Sequence, residues 1–171
     1  MDLHSHILPG YDDGAGDYAE FMAMAEAAVR GGTVLVVATP HYDPESPGLD
    51  PKDIPAAVEE HARLLRSRGI SLELSPGVEV RVNTALFALA REGDGLRHLG
   101  LGRNGRYILV DLPLLDLPAA TPEILFQVQL CGSSPILAHP ERNRYLADHP
   151  GFLRDLVDRG IELQVNAGSL E

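Results

Sequence analysis

The reading of this chain turns on its first six residues, Met1-Asp2-Leu3-His4-Ser5-His6. An apolar start runs directly into two histidines one residue apart. If the stretch opens as a strand, His4 and His6 fall at the same phase of its alternation, on one face at the strand's C-terminal end. Two imidazoles so placed can hold one metal ion. A lone H-x-H is a weak signal, and strand-end histidines also bond neighbouring carbonyls. The metal reading therefore depends on what the later strands deliver.

Working outward, Ile7 to Gly14 is rich in turn residues. Asp17, with Glu20 three residues on, opens a helix in the manner of a capping box, and Tyr18, Phe21, Ala25, Ala28 and Val29 form its apolar stripe. Gly31-Gly32 ends it. Thr33 to Ala38 is a continuous apolar and β-branched run, expected as a strand buried on both faces, and it leads into Thr39-Pro40-His41. Asp50 is expected to cap a second helix with Pro51 at its first position, and Gly69 to close it. Ile70 to Leu74 reads as the next strand, ahead of Pro76-Gly77-Val78-Glu79. A short helix covers Thr84 to Arg91. Residues 93 to 105 read as a loop or hairpin. Tyr107 to Val110 delivers Asp111, a helix runs from Thr121 to about Gly132, and Pro135 to Ala138 delivers His139. A helix over His149 to Arg159 precedes the last strand, Ile161 to Val165.

Strands and helices alternate without repeat, linker or low-complexity segment, so residues 1–171 are expected as a single α/β domain with parallel strands. In such folds functional groups gather at the C-terminal ends of the strands. Those ends carry His4, His6, His41, Glu79, Asp111 and His139. A sheet closed like a barrel would aim all six at one mouth. Four imidazoles and two carboxylates suit Mn, Fe or Zn. Two ions can share the set if a carboxylate bridges, and Glu79 suits that role. Paired ions activate water and clamp the oxygens of a transferring phosphoryl group. Glu79 and Asp111 also have a plainer reading as salt-bridge partners. In Ala138-His139-Pro140-Glu141-Arg142-Asn143, Arg142 could grip a phosphate with both arms of its guanidinium or pair with Glu141 or Asp148. His61 reads as a packing histidine, His98 and His149 as solvated, and Cys131 as a small buried residue.

Composition narrows the partners. The chain has 171 residues, 44% hydrophobic and 23% charged, with a formal net charge of −11. So acidic a chain is a poor match for nucleic acid over a broad surface. One cysteine excludes an intrachain disulfide. No apolar run approaches membrane-spanning length, and the N-terminus lacks the layout of a signal peptide. A cytoplasmic, non-membrane-inserted protein is the expectation.

With these residues assembled, the chain resembles the PHP superfamily of metal-dependent phosphoesterases, and more narrowly the bacterial tyrosine phosphatases of capsule and exopolysaccharide operons. The matching stretches are His4-Ser5-His6-Ile7-Leu8-Pro9-Gly10 with Asp12-Asp13-Gly14, then Ala38-Thr39-Pro40-His41, Gly77-Val78-Glu79-Val80, Ala138-His139-Pro140-Glu141-Arg142 and Leu163 to Ser169. They span nearly the whole chain in order. The resemblance implies a distorted (β/α)7 barrel, a manganese-type cluster of up to three ions, and hydrolysis of phosphotyrosine on the tail of a membrane-attached tyrosine autokinase. It also implies His4, His6, His41, Glu79 and His139 as ligands and Arg142 as the phosphate-binding residue. Where the family usually has glutamate, this chain has Asp111. The family continues past the position of Glu171 with further helices and a strand bearing an Asp-x-His pair. On that comparison the barrel is expected to lack its C-terminal strand and helices, to bind at most two ions tightly, and to expose an edge at Ile161 to Val165 that invites homo-oligomers. Two other readings are a phosphoesterase of small esters such as histidinol phosphate, and a non-catalytic remnant that binds a phosphotyrosine tail.

Overall fold

The computed structural model describes residues 1–92, 94–102 and 105–170. Gly93, Arg103 and Asn104, inside the expected loop, and Glu171 lie outside the described residues.

The described residues form strands β1 (Asp2–Ser5), β2 (Leu35–Ala38), β3 (His41–Tyr42), β4 (Glu73–Pro76), β5 (Glu79–Arg81), β6 (Tyr107–Asp111), β7 (Ser134–Ala138) and β8 (Glu162–Gln164). Between them lie helices α1 (Tyr18–Arg30), α2 (Ile54–Ser67), α3 (Thr84–Arg91), α4 (Thr121–Leu130), α5 (Arg144–Asp148) and α6 (Pro150–Asp158). Every strand pairing is parallel. One sheet has the order β1-β2-β4 and the other β3-β5-β6-β7-β8.

The two sheets are joined by strands that break and resume. β2 passes through Thr39-Pro40 into β3, and β4 passes through Gly77-Val78 into β5. Proline has no backbone N–H to give a ladder. Gly77 is required by close approach: a Cβ there would lie 2.9 Å from Leu101 Cδ2 and 3.1 Å from Val37 Cγ1. Because Ala38 registers with Pro76, the two breaks fall side by side, and pairing resumes with His41 opposite Glu79. Two site residues are thus neighbours by strand register alone.

Helical side chains pack on one face of the sheets. Phe21, Leu65, Leu86 and Leu125 are fully buried there, each contributing about 1.5–3 kcal/mol of transfer free energy. The other face carries a smaller cluster of Val37, Leu101, Leu109, Ile136 and Ala138. Strands β2, β6 and β7 are therefore covered on both sides, as their unbroken apolar runs predict.

Local signals held at α1, where Asp17 Oδ1 accepts from the backbone N–H groups of Ala19 and Glu20 at 2.8 and 2.9 Å. The reciprocal bond of the box is displaced by one residue: Glu20 Oε2 accepts from Gly16 N at 2.6 Å. Three expectations are corrected. Asp50 caps a turn rather than α2, accepting from Lys52 N at 3.0 Å, and the helix begins only at Ile54. β4 starts three residues late, at Glu73, since its pairing is set by β2. Cys131 is exposed, because it sits at the C-cap of α4 where the last turn leaves the core. Its Sγ–H donates to Ala90 O. The stretch before α6 also holds a helix the sequence reading missed, α5, capped by Asn143 Oδ1 accepting from Leu146 N at 2.8 Å.

Candidate metal centre

Glu79, the first residue of β5, is the centre of the site. It is fully buried, and neither carboxylate oxygen receives a backbone or hydroxyl hydrogen bond among the described residues. What it meets is imidazole nitrogen. His4 Nε2 and His6 Nε2 each lie 3.2 Å from Glu79 Oε2, and His41 Nδ1 lies 3.0 Å from the same oxygen. His139 Nε2 lies 2.9 Å from Oε1. Four histidines from three strand ends thus converge on one carboxylate, and they are the four that strand-end position singles out.

Each histidine is brought there by a different device. His4 sits in β1, and the pleat returns His6 to the same side. His41 opens β3 beside Glu79. His139 follows β7 in a left-handed conformation, φ 32° and ψ 54°, unlike every other non-glycine among the described residues. A non-glycine residue in that region carries strain of order 1–3 kcal/mol, and such strain clusters at functional sites. Here it turns the ring back over Glu79.

The charges are strongly coupled. Burial pushes Glu79 upward, but the hydrogen bonds from His139, His4, His41 and His6 outweigh it and hold the carboxyl far below the usual range. For His6, burial opposes charge, yet Asp12 and Glu79 outweigh it and the ring is pushed up to about 10. His41 is raised chiefly by its hydrogen bond to Glu79. Asp12 is held low against its burial, mainly by His6. Without a cation other than protons, this arrangement crowds lone pairs: His4 Nε2 and His6 Nε2 are themselves only 3.2 Å apart. A divalent ion among His4, His6 and Glu79 would satisfy those atoms, with His139 at the other oxygen of the same carboxylate. The donor set fits a metal.

A second group of donors lies beside the first. His6, Asp12, Asp13 and His41 bring ligand atoms within 4.8 Å of one another, with His41 Nε2 3.6 Å from Asp13 Oδ1. Asp13 was legible only as part of an Asp-Asp-Gly turn. The signal that could have found it is its position just past the H-x-H stretch, in a loop that must fold back over the strand end.

Asp111 lines the same cavity of about 420 Å³ and lies outside both donor groups. Arg81 Nε lies 3.0 Å from its Oδ2, the ion pair of its plainer reading. Its side chain is raised by burial and then by the charge of Glu79, which Arg81 only partly offsets. Arg142 also lines the cavity. Among the described residues it has no ion-pair partner: Glu141 Oε1 accepts from Asn166 N at 3.1 Å, and Asp148 faces Arg144 at 4.0 Å. Leu112, Leu114 and Asn166 complete the wall. His61 packs as expected, its Nδ1 donating to Ala57 O at 2.7 Å, between the rings of Tyr18 and Phe21.

The chain is similar to known proteins over its whole length. The sequence profile of the family described as "Capsular polysaccharide synthesis, CpsB/CapC" matches residues 1–171. The tyrosine-protein phosphatase YwqE of Bacillus subtilis (strain 168) is 38% identical over 174 residues, covering 99% of this chain and 65% of YwqE. The putative tyrosine-protein phosphatase CapC of Staphylococcus aureus is 28% identical over 170 residues, again covering 99% of this chain and 65% of CapC. A solved structure from work on YwqE and on CpsB from Streptococcus pneumoniae, described there as unique metal-dependent tyrosine phosphatases, superimposes with a TM-score of 0.86 at 36% identity. That superposition covers 99% of this chain and 67% of the solved one. The chain thus spans about two thirds of the length of these relatives.

Proposed function

The chain belongs to the CpsB/CapC capsular polysaccharide synthesis family, and from that premise we propose that it is a metal-dependent phosphatase acting on phosphotyrosine. The observation that carries the proposal is the convergence of His4, His6, His41 and His139 on the buried carboxylate of Glu79. The relatives' description as metal-dependent tyrosine phosphatases supports it. We read the parallel strands as one domain of a distorted (β/α)7 type, with manganese as the expected metal and Fe or Zn as alternatives.

Bound ions at such a site supply an activated water and neutralise the phosphoryl oxygens. The chain's own residues do the rest. Glu79 and the four histidines would hold the ions, with Asp13 as a further donor beside His41. Arg142, at the cavity wall and without an ion-pair partner among the described residues, presents a planar fork that matches two phosphate oxygens. The Arg81–Asp111 pair keeps a cation at the cavity wall without adding net charge. Leu112 and Leu114 give that wall an apolar portion against which an aromatic leaving group can lie.

The tail of a tyrosine autokinase in the cytoplasm is the proposed substrate. No helix among the described residues is long and apolar enough to cross a membrane.

The test is phosphate release from a phosphotyrosine peptide and from histidinol phosphate, with added manganese and with chelator. Chelator-sensitive turnover favouring the peptide is expected. Preference for histidinol phosphate would replace the substrate class, and tight peptide binding without turnover would favour a binding role.

A further inference from the structure

We propose that Asp12 and Gln164 are positioning residues that fix the ring tautomers of His4 and His6, so that both present Nε2 to one shared ion, and that they do so with unequal strength. The inference rests on the metal-centre reading above.

The geometry is direct. His6 Nδ1 lies 2.5 Å from Asp12 Oδ2, and His4 Nδ1 lies 2.8 Å from Gln164 Oε1. A carboxylate oxygen and an amide oxygen only accept, so each Nδ1 must donate. The orientation of the Gln164 amide follows from the His139 backbone N–H, which can only donate and points to Oε1 at 3.4 Å, leaving Nε2 to donate to Asn166 Oδ1 at 2.9 Å. A neutral imidazole with its proton on Nδ1 keeps its lone pair on Nε2. Those two Nε2 atoms stand 3.2 Å from each other and 3.2 Å from Glu79 Oε2. Both rings are therefore aimed at one point by partners that do not line the site's cavity.

The two acceptors differ in charge and in anchoring. Asp12 is an anion, and it is pinned: Oδ2 also accepts from His41 N at 2.9 Å, and Oδ1 from Gly14 N at 3.1 Å. Its charge makes His6 the more basic, tighter ligand. Gln164 is neutral and lies across the site, on β8, where it also takes a long bond of 3.4 Å from His139 N. It orients His4 without strengthening it. The first and last strands are thus tied through a residue that serves the site.

The experiment uses the whole chain loaded with zinc, whose bound form is diamagnetic. Affinity is measured by competition with a chelator, ion count by elemental analysis, and ring tautomers by nitrogen-15 shifts of the imidazoles. Asp12→Asn is expected to weaken zinc about 10–100-fold with the ion count unchanged at saturation. Gln164→Leu is expected to weaken it less and to release the Nδ1–H signature of His4. Gln164→Glu should recover or exceed wild-type affinity, because a carboxylate replaces the amide as acceptor, and a purely structural role for Gln164 would not produce that rescue.

Unchanged affinity and tautomers in both Asp12→Asn and Gln164→Leu would overturn the proposal. So would loss of one whole ion in Asp12→Asn, which would make Asp12 a ligand. If Asp12→Asn does not fold, the Gln164→Leu and Gln164→Glu pair decides alone: equal affinities refute the idea. A wild-type chain that takes up no zinc would refute the metal reading beneath it, and is told apart by appearing before any substitution.

Discussion

His139 Nε2 stands 2.9 Å from Glu79 Oε1, and the backbone that brings it there is left-handed. Asparagine tolerates that conformation better than most residues but cannot offer an imidazole. His139→Asn is therefore expected to keep the fold, with a melting temperature within a few degrees of wild type, while losing metal affinity by tenfold or more. Thermal unfolding of the metal-free protein and zinc competition check the two halves separately. A large fall in melting temperature would mean that the residue serves the fold rather than the ion.

His6 gives a prediction of the same kind with a different control. His6→Ala should lower metal content and abolish phosphatase activity with the far-ultraviolet spectrum unchanged, since the ring is only part-buried and packs against other site rings. Wild-type metal stoichiometry in this variant would remove His6 from the ligand set.

Metal affinity should rise with pH. His6 in the metal-free fold is pushed up to about 10 from an ordinary 6.5. Being raised, its charged form stabilises the metal-free fold fully below pH 6.5, and that contribution is lost as pH climbs toward 10. An ion must displace the proton, so affinity is expected to increase over this window by about tenfold per pH unit for each proton released. Calorimetry in buffers of different ionisation enthalpy counts the protons. No release near pH 7 would contradict the coupling of His6 to Asp12 and Glu79.

Arg142→Lys tests recognition rather than metal binding. Lysine keeps the charge and loses the fork. With one of two charge-assisted hydrogen bonds gone, at about 1.5–3 kcal/mol, kcat/KM should fall roughly 10–100-fold at unchanged metal content. Wild-type kinetics would return Arg142 to the protein surface.

Much of the site is legible in the sequence because strand ends are. His4, His6, His41, Glu79 and His139 each follow an apolar run whose pairing places its end beside the others, and parallel register does the assembly. Asp111 obeys the same rule and lies outside both donor groups; its partner, Arg81 on the neighbouring strand, is visible only once β5 and β6 are in register. Asp12 and Asp13 look like turn residues because they are turn residues. Their approach to His6 and His41 depends on the path of the loop, which no local periodicity encodes. Gln164 could have been found, as it lies on the last strand two residues before Asn166, but a neutral amide carries no ligand signal. Helix starts failed where proline and aspartate admit more than one turn, as at Asp50 to Asp53.

The central claim is that Glu79 and its four histidines hold metal. The most direct measurement is an anomalous-difference map from crystals of this chain grown with manganese. The account predicts a peak within coordination distance of His4 Nε2, His6 Nε2 and Glu79, with any further peak beside His139 or beside His41 and Asp13. An empty map at this cluster, with the histidines still packed on Glu79, would contradict it.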